Sequence, residues 1–140
     1  AAAQVHDIGL YLVSNEKGEV GFSVFVGGGL GSGIRYIISK YLNSSIGSFP
    51  IGTFTVNIIG SLIIGLVLGY AAKENSLTQN QVLLIATGFC GGFTTFSAFA
   101  QENFQLLKTG DIMQFSIYTI GSILVGLLAV FIGLYIAKNL

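Results

Sequence analysis

The sequence predicts an all-α membrane protein with four transmembrane helices per subunit, and three observations carry that reading. Of its 140 residues 52% are hydrophobic and only 9% are charged, whereas a soluble domain carries ~25% charged residues. The apolar residues gather into four stretches, each near the length that a ~30 Å hydrocarbon core requires. There are 20 glycines and a single proline, the excess of small residues expected where membrane helices pack closely. The same composition excludes several function classes. A net charge of zero argues against nucleic acid as a partner. One cysteine cannot form an internal disulfide, and Cys90 with His6 cannot build a zinc site. No acid–base pair or nucleophilic triad can be assembled, so the chain is expected not to be an enzyme.

Residues 1–20 are the most polar stretch, with Asp7, Glu16, Lys17 and Glu19 around the apolar run Ile8 to Val13. That run is too short to span a bilayer, and the segment is expected as an N-terminal extension, a short surface helix or a loose tail. The transmembrane domain is expected over 21–140. Its first helix covers about 21–42 and is rich in glycine, with Arg35 and Lys40 toward its end. The second covers 51–72 without a charge, ~33 Å at ~1.5 Å per residue. The third covers about 81–107 and contains Gly88, Gly91 and Gly92, then Thr94, Thr95 and Ser97. Adjacent glycines and hydroxyl residues at mid-span predict a helix broken within the membrane. Such a break survives only where the freed backbone is buried in protein or lines a cavity. The fourth helix covers 113–137 and is uncharged.

Short connections make neighbouring helices antiparallel, so Lys17, Lys73 and Lys138 fall on one side and Lys40 and Lys108 on the other, with Arg35 deeper. Lys and Arg near helix ends normally set orientation. Here they give no bias, and this predicts insertion in both orientations, with an antiparallel pair of identical chains as the functional unit. Small residues four apart, Gly27/Gly31, Gly29/Gly33, Ser61/Gly65/Gly69 and Ser122/Gly126, read as helix-packing faces. The run Gly27 to Gly33 fits neither the dinucleotide nor the phosphate-loop pattern.

Polar residues inside spans are the informative ones, because lipid makes each expensive. Arg35 either faces a water-filled vestibule and concentrates anions, or snorkels from a helix end. Asn57 offers amide donors to an anion or makes an interhelical hydrogen bond. Phe96 and Phe99, three apart, share a helix face; they contact lipid or core, or they turn their positive ring edges toward an anion path. Glu102 is a wetted carboxylate or a proton or cation site. Tyr118 and Ser122, four apart, place two hydroxyls on one face of the last helix. Donor-rich and acid-poor, this set predicts a passive anion pathway. The rival is a small proton-coupled exporter of organic cations; it requires Glu102 as its membrane-embedded acid, and Glu102→Gln would abolish its transport.

Three motifs sharpen the reading: Gly28-Gly29-Leu30-Gly31-Ser32-Gly33-Ile34-Arg35-Tyr36, Gly52-Thr53-Phe54-Thr55-Val56-Asn57-Ile58-Ile59-Gly60-Ser61, and Gly88-Phe89-Cys90-Gly91-Gly92-Phe93-Thr94-Thr95-Phe96-Ser97-Ala98-Phe99. In this order, over about 21–140, the chain closely resembles the Fluc (CrcB-type) fluoride channel family. The resemblance implies an antiparallel dual-topology homodimer in the cell membrane with two fluoride pores at its interface, exporting fluoride passively. It implies that Asn57, Phe96 and Phe99 line the pore, with Ser97, Tyr118 and Ser122 as hydroxyl groups along it. Arg35 would face the vestibule and Glu102 the pore's other end. Gly91 and Thr94 would offer backbone carbonyls to one central structural Na⁺ shared by the two subunits, and Gly91→Val is expected to damage assembly. The family pattern usually carries a hydroxyl where this chain has Ala98, and the hydroxyl track ends at Gly126 and Val130.

Overall fold

The computed structural model describes residues 18–43, 48–73 and 76–140. Residues 1–17 of the expected N-terminal tail, with Ile8 to Val13, His6 and Lys17, lie outside the described residues, whereas residues 18–20, expected in that tail, form the first turn of the first helix, where Val20 is buried. The described chain is all helical: α1 (Gly18–Leu42), α2 (Ile51–Ala71), α3 (Gln79–Val82), a π-helical stretch (Leu83–Cys90), α4 (Gly91–Phe93), α5 (Phe96–Lys108) and α6 (Ile112–Lys138). From α3 to α5 the chain forms one interrupted span, so four long helical units result. Three of them, α2, the span Gln79–Lys108 and α6, are long and apolar enough to cross a membrane. At 25 residues α1 is ~38 Å long, but its glycines, serines and Glu19, Arg35 and Lys40 dilute its apolar character below the other three.

Local chemistry sets the ends. Thr78 and Gln81 form a reciprocal capping box, each side chain accepting the other's backbone N–H, which starts α3. The turn between α5 and α6 is a Schellman closure: Gly110 N–H bonds the Leu107 carbonyl at 3.1 Å and Asp111 N–H the Leu106 carbonyl at 2.9 Å. Gly110 supplies the left-handed φ of 80° that this closure demands. Asp111 then caps α6 by accepting from Gln114 N–H at 3.2 Å.

The helices meet through glycine. A Cβ added at Gly133 would lie 2.5 Å from the Leu62 carbonyl oxygen and 2.7 Å from Leu66 N, and one at Gly65 would overlap the Val130 carbonyl. The α2–α6 seam is therefore backbone against backbone, and a side chain at either glycine would force the helices apart. On α1, Gly27 and Gly31 pack on Leu84, Phe89 and Phe93 in the same manner, whereas Gly29 and Gly33 have nothing within 4 Å. Only one of the two expected small-residue faces of α1 is used within the chain. One end of the bundle gathers the C-terminus of α1 and the N-terminus of α2, where Asn43 bonds Gly52 and Thr53, and the α6 start, where Ser48 bonds Asp111. At the other end Lys73 Nζ donates to the Leu140 carbonyl at 2.9 Å.

The break in the third span lies two residues beyond the expected glycines. Gly91 is helical (φ −60°, ψ −38°); Thr94 (φ −86°, ψ 157°) and Thr95 (φ −151°, ψ 119°) are extended. The adjacent glycines serve a different need. A Cβ at Gly92 would overlap the Gly28 carbonyl oxygen, and one at Gly88 would sit 3.2 Å from Val24 Cα, so they let α1 approach the interrupted span.

Candidate functional site

An extended pair of residues at mid-span leaves backbone groups without helical partners, and the neighbouring side chains take them up. Thr95 N–H would bond the Gly91 carbonyl in a continuous helix. It bonds Asn57 Oδ1 instead, at 2.8 Å, and Asn57 Nδ2 returns a hydrogen bond to the Thr95 carbonyl at 3.2 Å. The Asn57 amide thus pairs with one residue of extended backbone as a neighbouring β-strand would, and one N–H of Nδ2 stays available. The interhelical hydrogen bond considered for Asn57 is the one the structure contains. Ala98 N–H, which would bond the Thr94 carbonyl, goes to Thr95 Oγ1 at 3.1 Å, making Thr95 the N-cap of α5. The carbonyls of both Gly91 and Thr94 have therefore lost their helical donors. The Gly92 carbonyl receives Arg35 Nε at 2.9 Å and Ser32 Oγ at 3.4 Å. Arg35 thus holds the break from α1 through its Nε.

Beside the break lies a cavity of about 310 Å³, lined by Asn57, Ser61, Ile64, Thr94, Thr95, Phe96, Phe99, Ser122 and Ile123. No charged residue contributes to it. Phe96 and Phe99 lie with ring centroids 5.8 Å apart, tilted by 47°, and Phe96 is 79% exposed. Ser122 Oγ is buried and has no hydrogen-bond partner. Ser97 sits just outside, exposed, 3.2 Å from Thr95 Oγ1.

A second cavity, of about 480 Å³, opens between α1, α2 and α5, and Arg35, Ser39, Asn43, Thr53, Gln101 and Glu102 are among its lining residues. Here the structure separates two residues that the helix spacing grouped. Tyr118 is fully buried; its hydroxyl donates to Glu102 Oε1 at 3.0 Å and its ring packs on Phe99 and Phe49. Tyr118 therefore turns its hydroxyl to the Glu102 side, while Ser122 one turn later faces the Asn57 cavity. Thr53, four residues before Asn57, likewise belongs to Glu102, donating to Oε2 at 2.7 Å. Sequence reasoning missed the structural role of Thr95. Its signal was present: Thr95-Phe96-Ser97-Ala98 places a capping residue three before Ala98.

No group of three or more His, Cys, Asp or Glu side chains that could hold a metal occurs among the described residues. The diverted carbonyls of Gly91 and Thr94 are the oxygen donors that suit a small hard cation instead.

Comparison with known proteins agrees with this architecture. The family model described as CrcB-like protein, Camphor Resistance (CrcB), matches residues 22–134, a stretch that begins in α1 and ends in α6. The chain is similar to the protein named Fluoride-specific ion channel FluC of Flavobacterium psychrophilum, 45% identical over 123 residues, which cover 85% of this chain and 97% of the relative. The protein of the same name from Gloeothece citriformis is 49% identical over 117 residues, 83% of this chain and 94% of the relative. That from Aquifex aeolicus is 36% identical over 120 residues, 85% and 97% respectively. With the match running from the glycine-packed first helix through the broken span to the last, this multi-pass membrane chain belongs to the CrcB-like family.

Proposed function

We propose that this chain is a passive fluoride-selective channel, not an enzyme, which exports fluoride across the cell membrane and so confers fluoride resistance. The observation that carries the reading is the Asn57 cavity. It offers neutral donors and ring edges and no acid, and Ser122, whose buried hydroxyl has no partner, is among its lining residues. A small, strongly hydrated anion needs its water replaced by donors of this kind, and the cavity walls do not repel it. The relatives' names supply the identity of the anion. No observation favours the organic-cation exporter: Glu102, its required acid, is engaged by Thr53 and Tyr118 and lies in the other cavity.

The working unit is an antiparallel dual-topology homodimer with two pores, and α1 crosses the membrane as the fourth span. Three features support a second copy. The cavity is open on the side of Phe96, the α1 face at Gly29 and Gly33 is unfilled, and Phe25 and Tyr36 on the same helix are 77% and 63% exposed. Among the described residues Lys40 and Lys108 fall toward one end and Lys73 and Lys138 toward the other, the balance that permits both orientations. Within the dimer Gly91 and Thr94 carbonyls hold a structural Na⁺, which ties the two breaks together electrostatically. Asn57, Phe96, Phe99, Ser97 and Ser122 serve the pore; Arg35, Glu102 and Tyr118 serve its vestibule side.

Fluoride efflux from liposomes carrying the purified protein, repeated with chloride, tests the reading. Electrogenic fluoride loss without chloride loss is the expected result, and no flux of either ion from folded dimers rejects it. A tag on Leu140 accessible from only one membrane face rejects dual topology.

A further inference from the structure

The geometry points to Asn43 as a positioning residue that fixes the Glu102 carboxylate on the vestibule side; the inference rests on the channel reading and adds a residue to it. Asn43 directly follows α1. Its Oδ1 accepts Gly52 N–H at 2.7 Å and Thr53 N–H at 3.1 Å. These first-turn amides of α2 have no helical acceptor, and Pro50 at the N-cap offers no side-chain bond. A residue of α1's end thus caps a different helix. Two backbone donors on Oδ1 also settle which way the amide points: Nδ2 faces the opposite side, where it donates to Thr53 Oγ1 and to Glu102 Oε2, both at 3.2 Å. Gly52 is the room for this arrangement, because a Cβ there would lie 2.8 Å from Asn43 Oδ1 and 2.9 Å from Ser39 Cα.

The consequence falls on Glu102. Its Oε1 has one donor, Tyr118; its Oε2 has two, Thr53 and Asn43. Thr53 Oγ1 gives its single proton to Glu102 and accepts from Asn43, so the three side chains form one network. Arg35 lines the same cavity, and its Nε donates to the Gly92 carbonyl. A carboxylate released from this clamp would turn into the cavity and repel an entering anion. Asn43 holds it to the wall.

Asn43→Asp separates the two functions of the residue. The carboxylate still accepts from Gly52 and Thr53, so the cap survives, but toward Glu102 it replaces a donor with an oxygen of like charge, which pushes the Glu102 carboxylate off the wall. Fluoride efflux is measured for the native protein, Asn43→Asp, Glu102→Gln and the double variant. Asn43→Asp is expected to slow efflux about tenfold in the native background, the scale of one lost charge-assisted hydrogen bond. In the Glu102→Gln background, where the new amide donates to the new carboxylate, the loss shrinks to under about threefold. Equal losses in both backgrounds, or no loss in the native one, overturn the inference. The same four dimers are melted in detergent, a readout that needs no flux: Asn43→Asp lowers Tm in the native background and not in the Glu102→Gln background, and equal shifts overturn the clamp. Native dimers that pass no fluoride reject the channel reading, and the melting cycle then still decides on Asn43.

Discussion

The α2–α6 seam and the break at Thr94–Thr95 are built from the same small residues and solve opposite problems. At the seam Gly65 and Gly133 bring two intact helices into backbone contact; both helices run unbroken there, and no backbone group is released. At the break the chain abandons the helix for two residues. Asn57, Thr95, Arg35 and Ser32 take up the amides and carbonyls released. In lipid an unsatisfied backbone group costs several kcal/mol (about the value of the whole contact), so the seam can be dry and simple and the break cannot. Small residues at a helix face show that something comes close. Only the partners of the released backbone show where a polar path can run.

Substitutions can break this contrast, and the largest effect belongs to the seam. Gly65→Leu drives a side chain into the Val130 carbonyl, and overpacking at a backbone contact costs about 3 kcal/mol or more. Folded protein is expected to disappear from size-exclusion profiles; a normal yield would mean the seam can open. Asn57→Ala comes next. It leaves both Thr95 backbone groups without their partner, so fluoride efflux falls at least about tenfold, one lost buried hydrogen bond being worth about 1–3 kcal/mol, while the dimer elutes normally because the seam is untouched. Full conduction by Asn57→Ala, or by Phe96→Ile, would remove the cavity beside the break from the pore. Thr95→Ala deletes the α5 cap and is expected to lower dimer stability by about 1 kcal/mol, read by thermal melting; no change would mean Ala98 N–H finds another acceptor. The smallest effect on the chain's own fold is at Gly91, where a Cβ meets nothing within 4 Å. Gly91→Ala keeps the helical content seen by circular dichroism, and the damage expected there is confined to dimer formation. An unchanged dimer by cross-linking would place Gly91 away from the second copy and from any shared Na⁺.

The contrast also marks what could be read in advance. The second and fourth spans were legible because each is an uninterrupted apolar stretch with polar punctuation: α2 begins at Ile51 and α6 ends at Lys138, within one residue of the hydropathy boundaries. The existence of a break was legible from residues 88–97, but its place was not. Two glycines read as the weak point, although a glycine pair in lipid can remain helical when a neighbouring backbone needs the space, as Gly28 does at Gly92. The π-helical stretch Leu83–Cys90 left no mark in the residue pattern at all.

Composition and periodicity determined that this chain lives in a membrane and that it carries more donors than acids inside its spans, because these follow from transfer costs; they singled out Asn57, Phe96 and Phe99 as candidates and left their roles open. Which groups meet was decided by the tertiary structure. Tyr118 and Ser122 lie one turn apart, yet the Tyr118 hydroxyl goes to Glu102 while Ser122 lines the Asn57 cavity, and Asn43 reaches Glu102 across 59 positions of sequence. The physical reason is rotation. Spacing fixes which residues share a face, but the rotation and tilt that aim that face are set by where glycines let neighbouring helices touch, and that is a property of the packed bundle rather than of any one segment.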